Sequence, residues 1–174
     1  MATNQSSLTS GPAPFIGLVR PLDFKDLTAL ATILTAWIPS AEEILEDLRQ
    51  MEASVDSPET LFLVAQEKGL VLGVAGLQPP SSSMRAFLKT ASSAELIHFF
   101  VLPQAQRRGV GTALLTALLD ATARRGLREI VFNSGPRYRD SAWSFYDHLT
   151  NFSRRGLIKD LYGPGRDAPV WGSL

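Results

Sequence analysis

The sequence predicts one α/β domain of the mixed α+β type, with its elements in the order β-α-α-β-β-β-α-β-α-β-β. The chain has 174 residues, of which 45% are hydrophobic and 20% charged, so it holds enough apolar residues for a buried core. Apolar runs typical of strands are separated by stretches in which apolar residues recur every three or four positions, as in helices. Because strands and helices do not alternate regularly, the order does not indicate a nucleotide-binding repeat.

The first half of the chain predicts one strand, two helices and a hairpin. Residues 16–19 form an apolar run that predicts the first strand. Asp23 and Ser40 each stand three residues before an acidic residue, which predicts the N-terminal cap of a helix after each of them. Two apolar runs at 60–65 and 70–77 flank a short polar turn that contains glycine, so they predict a hairpin.

The second half of the chain predicts four strands and two helices. A loop after Pro80 contains Met84 and Phe87, which indicate either a short buried helix or a mobile cover. The remaining elements follow from apolar periodicity and from glycine or proline at their ends, and they are strands at 95–102, 128–133, 155–161 and 168–171 and helices at 109–125 and 141–149.

Composition excludes several classes of protein. There is no cysteine, so a disulfide framework, a thiolate nucleophile and a Cys-based zinc site are excluded, and the two histidines do not make an ordinary metal site. The apolar stretch 27–38 is too short to span a bilayer, which predicts no membrane partner. Residues 1–14 are rich in Ser, Thr, Gly and Pro and predict a flexible tail without a signal peptide, ahead of a single domain at 15–174. A cytoplasmic location is expected.

The segment 106–111 is the most informative motif. It follows a strand and opens a long helix, and its sequence is Gln-Arg-Arg-Gly-Val-Gly. Glycines let a ligand approach the backbone closely, and the N–H groups at a helix start favour an anion such as a diphosphate. The Walker phosphate loop is a poor match because its lysine is absent, and the dinucleotide fingerprint lacks its third glycine. A helix start that binds nothing remains an alternative on local grounds.

The spacing Gln106-x-x-Gly109-x-Gly111 resembles the Q/R-x-x-G-x-G/A motif of the GNAT superfamily, the acetyl-CoA-dependent N-acetyltransferases. The strand at 95–103 resembles the fourth strand of that family, and residues 142–146 resemble its later A-x-x-x-Y helix. The resemblance extends over nearly the whole domain. It implies a central, mostly antiparallel, splayed sheet flanked by helices, acetyl-CoA as the acyl-donor cosubstrate, and no metal.

The resemblance also implies which residues hold acetyl-CoA. The backbone of the fourth strand is expected to hold the pantetheine, and the loop and helix start are expected to cradle the pyrophosphate. The Val101 amide would donate to the thioester oxygen and stabilise the oxyanion. The implied cofactor-binding residues are Phe99, Phe100, Val101, Gln106, Arg107, Arg108, Gly109, Val110, Gly111 and Thr112.

Two residues are expected to carry acid and base catalysis. Tyr146 occupies the position of the family's tyrosine acid, and its alternative role is a core aromatic residue. Glu95 occupies the position of a glutamate base in some members, and its alternative role is a solvated carboxylate at a strand end. Strand alternation predicts that Glu95 faces the same side as Phe99 and Val101, and that His98 faces the opposite side.

Charge is balanced over the whole chain but not along it. The 17 Lys and Arg equal the 17 Asp and Glu, which argues against nucleic acid as a partner. Residues 42–59 contain seven acidic residues and one basic residue, and they indicate either the solvated face of a helix or a preference for a cationic acceptor. Residues 106–139 contain seven basic residues and two acidic residues, a balance that favours the phosphates of CoA.

The resemblance implies an N-acetyltransferase that transfers acetyl to a primary amine by direct attack in a ternary complex. The acceptor is a small-molecule amine or a peptide. Alternatives are a protein N-terminal or lysine acetyltransferase, and a CoA-binding regulatory module without catalysis; a homodimer is compatible with all of these. The acceptor side is expected to include Trp37, Ile38, Tyr138, Tyr162 and Trp171, each of which has a packing role as its alternative.

Overall fold

A computed structural model describes residues 11–173, and its framework is a seven-stranded sheet. The strands are β1 (Leu18–Pro21), β2 (Leu61–Glu67), β3 (Leu70–Gln78), β4 (Ser93–Val101), β5 (Glu129–Asn133), β6 (Phe152–Ile158) and β7 (Ala168–Ser173). Their spatial order is β1-β2-β3-β4-β5-β7-β6. All neighbours are antiparallel except β4 and β5, which are parallel. The mixed α/β fold predicted from the sequence is therefore confirmed.

Within residues 11–173, four α-helices flank this sheet, namely α1 (Leu27–Thr35), α2 (Ala41–Ser54), α3 (Val110–Arg124) and α4 (Ser144–Asp147). Asp23 accepts from Lys25 N–H and Asp26 accepts from Asp23 N–H, which completes the predicted capping box before α1. Ser40 caps α2 by accepting from Glu43 N–H. No helix in the described part of the chain is long and apolar enough to cross a membrane.

The sheet opens between β4 and β5. These parallel strands pair only over residues 93–95 and 129–131, although β4 continues to Val101. Beyond this short pairing the two strands diverge. The backbone N–H and C=O groups that would otherwise bond β4 to β5 are therefore free to face a ligand. The divergence produces the cleft described below.

A bulge in β4 changes which side chains face each side of the sheet. Between Ile97 and Phe100, two residues of β4 oppose one residue of β3. His98 lies in this bulge with a φ of +47°, an uncommon conformation for a residue with a side chain. As a result, Ile97 and Phe100 pack on the α1–α2 side, whereas Phe99 and Val101 pack on the α3 side.

The core has one layer on each face of the sheet. On one face α3 buries Leu114 and Leu118 against β2, β3 and β5, and on the other α1 buries Leu30, Ile33 and Leu34. A smaller cluster buries Met84, on a 3₁₀ segment over Ser82–Phe87, against β5 and β7. Of the two roles expected for this segment, the buried short helix is the one observed.

Several predicted boundaries differ from the observed ones, among them those of β1 and β6, which were predicted at 16–19 and 155–161 and lie at Leu18–Pro21 and Phe152–Ile158. The helix predicted at 141–149 is divided into a π-helical segment at Arg139–Trp143 and the single α-turn of α4. The predicted tail 1–14 falls mostly on residues 1–10, which lie outside the described residues. Its end is held to the domain, because Arg108 Nε donates to the Ala13 carbonyl and Phe15 N–H donates to the Arg108 carbonyl.

Candidate active site

The divergence of β4 and β5 forms a cleft of about 810 Å³. Its walls come from the C-terminal part of β4, the start of α3, the end of β5 with the turn that follows it, and one face of α2. The cleft therefore brings together residues that are distant in sequence. It contains both predicted catalytic residues and nine of the ten predicted cofactor-binding residues, which are Phe99, Phe100, Val101, Gln106, Arg107, Gly109, Val110, Gly111 and Thr112.

The start of α3 has the geometry of an anion site. Gly109 caps the helix in the left-handed conformation, with φ of +88°. The first i to i−4 hydrogen bond runs from Ala113 N–H to the Gly109 carbonyl, so the N–H groups of residues 110–112 have no acceptor within the helix. Open space surrounds the position that a Gly109 side chain would occupy, and Arg107 lines the cleft beside it. These features fit the phosphates of CoA.

Val101 presents its backbone to the cleft. The Leu102 N–H donates to the Leu72 carbonyl, so Val101 occupies the next, non-hydrogen-bonded pair with Gly73. In such a pair the N–H and C=O point away from the neighbouring strand, which here means away from β3 and toward the cleft. The Trp37 indole confirms this direction, since its Nε1 donates to the Val101 carbonyl at 2.8 Å.

Arg108 is the predicted cofactor residue that the structure does not bring to the cleft. Its guanidinium forms an ion pair with Glu67 at 2.6 Å and donates to the Ala13 carbonyl. Hydrogen bonds from Ile16 N–H and from Arg108 lower the pKa of Glu67. The side chain therefore fastens the N-terminal segment to β2 and does not line the cleft, contrary to the expected position of a phosphate ligand.

Tyr146 lies deep in the cleft within an aromatic cluster. Its ring contacts those of Phe132, Trp171, Phe145 and Phe99, with centroid distances between 4.7 and 6.2 Å. Burial raises the pKa of its hydroxyl well above the usual range, so the phenol keeps its proton at neutral pH. The residue is thus both a core aromatic and a group at the cleft, and the two roles expected from the sequence are not exclusive.

Glu95 is a buried carboxylate, 6% exposed, on the wall of the cleft. Its Oε2 accepts from Ser81 N–H at 2.7 Å. The prediction that it shares a face with Phe99 and Val101 is wrong, because the bulge at His98 inserts one residue between them and reverses the alternation. Glu95 instead lies on the face of the sheet that α2 covers. It lines the same cleft as Phe99 and Val101 because the sheet opens between β4 and β5.

Asp47 and His98 form part of the cleft that the sequence analysis missed. Asp47 Oδ2 lies 3.5 Å from His98 Nδ1, and His98 Nε2 lies 2.8 Å from Gln50 Oε1. Burial raises the pKa of Asp47 to about 6, with a further rise from Glu43 and Glu46 and an opposing effect from Arg137. Burial also lowers the pKa of His98 to about 4, so the imidazole is neutral.

The signal for this pair lay in the spacing of α2. Glu43, Asp47 and Gln50 recur at i, i+4 and i+7, which places them on one face of the helix beside the apolar residues. Strand alternation predicts His98 on the face opposite Phe99 and Val101, and it lies there, but the sequence alone did not show that α2 covers this face. The acidic stretch 42–59 is therefore divided, since Glu43 and Asp47 line the cleft and other members face solvent.

An ion pair crosses the mouth of the cleft. Arg137, in the turn after β5, donates to both carboxylate oxygens of Glu43 on α2, at 3.1 to 3.3 Å. The neighbouring Tyr138 packs its ring edge-on against Phe100, with centroids 5.8 Å apart. These contacts join the two walls on the α2 side. Because the ion pair is substantially exposed, we expect it to add little to stability.

The other residues expected on the acceptor side divide into two groups. Trp37, Ile38, Tyr138 and Tyr162 line the cleft, whereas Trp171 is fully buried in the core and has the packing role. Within residues 11–173 no group of three His, Asp or Glu side chains is arranged to hold a metal ion.

Comparison with known proteins relates this arrangement to one family. The sequence model of the acetyltransferase (GNAT) family matches residues 27–152. No curated protein sequence matches the chain.

Solved structures of acetyltransferases share the fold. A GNAT-family protein from Desulfovibrio desulfuricans is 19% identical, with a TM-score of 0.75 over 89% of this chain and 96% of that chain. An aminoglycoside 6'-N-acetyltransferase complexed with coenzyme A is 16% identical, with a TM-score of 0.71 over 90% of this chain and 96% of that chain. The ribosomal-protein-alanine N-acetyltransferase of Brucella melitensis is 23% identical, with a TM-score of 0.68 over 90% of this chain and 99% of that chain.

Proposed function

The chain belongs to the GNAT acetyltransferase family, and from this premise we propose that it transfers acetyl from acetyl-CoA to a primary amine by direct attack in a ternary complex. The observation that carries the proposal is the opening of the sheet between β4 and β5. It leaves the Val101 N–H, the start of α3, Tyr146 and Glu95 around one cleft. An acyl donor and an amine therefore have room to meet.

The proposed roles follow from the chemistry of the groups. The acetyl thioester of acetyl-CoA supplies the electrophilic carbon. The Val101 N–H donates to the carbonyl oxygen as negative charge develops on it, an interaction worth about 3–4 kcal/mol in other enzymes. Glu95 accepts one proton from the acceptor ammonium, because only the neutral amine has a lone pair for attack.

Tyr146 carries the remaining proton transfers. As the N–C bond forms and the C–S bond breaks, the phenol gives its proton to the leaving sulfur. The nitrogen returns its remaining excess proton to the phenolate. The products are an amide and the free thiol of CoA, with one net proton released to solvent through Glu95.

The decisive experiment is incubation of the purified protein with acetyl-CoA and a panel of small amines and peptides, read by mass spectrometry of the acceptors. A mass gain of one acetyl group on an amine supports the proposal. Binding of acetyl-CoA without amine-dependent release of CoA across the panel would instead favour a regulatory module. Acetylation of peptides alone would favour a protein N-terminal or lysine acetyltransferase.

Two variants test the catalytic residues. Tyr146→Phe is expected to lower turnover by roughly 10²- to 10⁴-fold with little change in acetyl-CoA affinity, since general acid catalysis contributes about that much. Glu95→Gln is expected to shift or flatten the pH–rate profile. Unchanged turnover in the first, or an unchanged profile in the second, would leave that residue with a structural role.

The cellular setting remains a prediction. The lack of cysteine in the sequence is compatible with a cytoplasmic protein, which is our proposal for its location. A homodimer stays compatible with the proposal.

A further inference from the structure

We propose that the acceptor carries at least two amino groups and that the one not acetylated binds, as an ammonium, between Asp47 Oδ2 and His98 Nδ1. This inference rests on the proposed acetyl transfer and names the class of acceptor, a small di- or polyamine. It assigns to Asp47 the selection of the substrate. His98 is assigned a positioning role.

The first step of the argument is the hydrogen-bonding state of His98. Gln50 Nε2 donates to Gln78 Oε1 at 3.2 Å, so the oxygen of the Gln50 amide is the atom that faces His98. With the Gln50 amide in this orientation, His98 Nε2 carries the proton of the neutral imidazole and donates a hydrogen bond to Gln50 Oε1. The lone pair of Nδ1 is left on the side of Asp47.

The second step is that two acceptor atoms face each other. His98 Nδ1 and Asp47 Oδ2 are 3.5 Å apart, and no N–H or O–H of residues 11–173 donates to the Asp47 carboxylate. Both side chains are mostly buried, with 15% of Asp47 and 18% of His98 exposed, and both line the cleft. Because the Asp47 carboxylate lines the cleft and accepts no hydrogen bond from these residues, it is free to accept from a ligand, and an ammonium has three donors and no acceptor.

The third step is that the surrounding charges favour a cation. Glu43 and Glu46 on α2 add negative potential at Asp47, and Arg137 opposes it. The Arg137 guanidinium is held by both oxygens of Glu43, so its charge is largely matched. Arg166 is a further cation on the cleft wall, and Glu95 is a further carboxylate.

The fourth step is that Asp47 holds the amine that does not react. An ammonium paired with a carboxylate has a raised pKa and keeps its proton, so it has no lone pair for attack on the thioester. The attacking amine must therefore lie elsewhere in the cleft, toward Val101. The Cα atoms of His98 and Val101, three residues apart on β4, are at most about 10 Å from each other, a separation on the scale of the nitrogen–nitrogen distances in small di- and polyamines.

The test compares two acceptors of equal chain length, 1-aminobutane and 1,4-diaminobutane, at saturating acetyl-CoA. For the wild-type protein we expect kcat/KM to be roughly 10- to 100-fold higher for the diamine, the usual range for a charged hydrogen bond. Asp47→Asn should remove that preference, because KM rises more for the diamine than for 1-aminobutane.

Glu52→Gln is the matched control, because Glu52 is an exposed carboxylate on the same helix and does not line the cleft. It should keep the preference for the diamine. A second readout does not need turnover: 1,4-diaminobutane with CoA should raise the melting temperature of the wild type and of Glu52→Gln, but not that of Asp47→Asn.

Two results would overturn the inference and leave the proposed acetyl transfer intact. One is equal kcat/KM for the two acceptors in the wild type, or transfer only to peptides with a single amine. The other is an equal loss for both acceptors in Asp47→Asn, which is the signature of a structural residue. Absence of transfer to every amine tested would instead reject the proposed function itself.

Discussion

The indole nitrogen of Trp37, directly after α1, donates a hydrogen bond to the carbonyl of Val101, the last residue of β4. The bond holds the carbonyl of Val101, the same residue whose N–H faces the cleft, and so restrains the backbone on the C-terminal side of that N–H. A helix on one face of the sheet thereby orients a backbone donor at the opening between two strands. This relationship predicts that the position of the proposed oxyanion donor, the Val101 N–H, depends on a side chain 64 residues away.

Trp37→Phe is expected to lower kcat by up to roughly tenfold, which corresponds to the loss of one neutral hydrogen bond. The affinity for acetyl-CoA should change little. Trp143→Phe is the matched control, because the buried Nε1 of Trp143 has no hydrogen-bond partner among residues 11–173. Steady-state kinetics of both variants provide the check, and equal losses in the two would contradict the role of the Trp37–Val101 bond.

Gly109→Ala is expected to weaken both stability and acetyl-CoA affinity. Gly109 has a φ of +88°, where a side chain costs about 1–2 kcal/mol even though the space around it is open. Gly126 has a φ of +71° at the other end of α3, also in open space. Gly126→Ala should therefore lower the free energy of unfolding similarly and leave acetyl-CoA binding unchanged.

Denaturant unfolding and calorimetric titration with acetyl-CoA measure the two effects separately. An equal effect of both glycine substitutions on acetyl-CoA affinity would show that α3 is merely loosened. In that case the start of the helix would not be a phosphate site.

Arg107 and Arg108 are adjacent but should respond differently to substitution. Arg107→Met should weaken acetyl-CoA binding, with a loss that shrinks at high salt because the charge acts on phosphates. Arg108→Met should mainly reduce stability, because it breaks the ion pair with Glu67 and the bond to Ala13. Titrations at two salt concentrations check the first expectation, and thermal melts check the second. A salt-dependent loss of affinity in Arg108→Met would restore its role at the phosphates.

The stability of the protein should depend on the ionisation of Asp47. Its pKa is raised from 3.8 to about 6 in the folded protein, chiefly by burial, so the folded state binds its proton more tightly than the unfolded chain does. Ionisation of Asp47 therefore costs stability as the pH rises from about 4 through 6. Asp47→Asn should stabilise the protein at pH 8 and have no such effect below pH 4.

Thermal melts of wild type, Asp47→Asn and Glu52→Gln across that pH range test this expectation. A gain at pH 8 in Asp47→Asn alone would show that the carboxylate is retained at the expense of stability, as functional groups often are. Destabilisation of Asp47→Asn at pH 8 would instead indicate that Asp47 supports the fold.

Local signals in the sequence predicted most of the fold. Helix caps and turns depend on residues only a few positions apart, so they can be predicted without tertiary information. Examples are the caps at Asp23 and Ser40 and the turn at Gly69. The start of α3 at Gly109 was found for the same reason. These features and the order of the strands give the position of the end of the cleft that is proposed to hold CoA.

The remaining features depend on contacts between distant residues. One inserted residue at His98 reverses the faces of β4, and nothing in the alternation of apolar residues marks it. Arg108 turns away from the cleft because Glu67, 41 residues earlier, pairs with it. The sequence pattern predicts that Asp47 lies on the solvated face of an acidic helix. Its contact with His98 depends on the tertiary packing of α2 against β4.

The central claim is direct transfer from acetyl-CoA to an amine, and the mass of the intact protein tests it most directly. The protein is incubated with excess acetyl-CoA, first alone and then with 1,4-diaminobutane and a single-amine peptide. We expect the protein mass to remain unchanged throughout, with an acetyl group gained by an acceptor and CoA released in equal amount only when both substrates are present. An acetylated protein that passes its acetyl group to the amine, or the absence of any acetylated acceptor, would contradict the account.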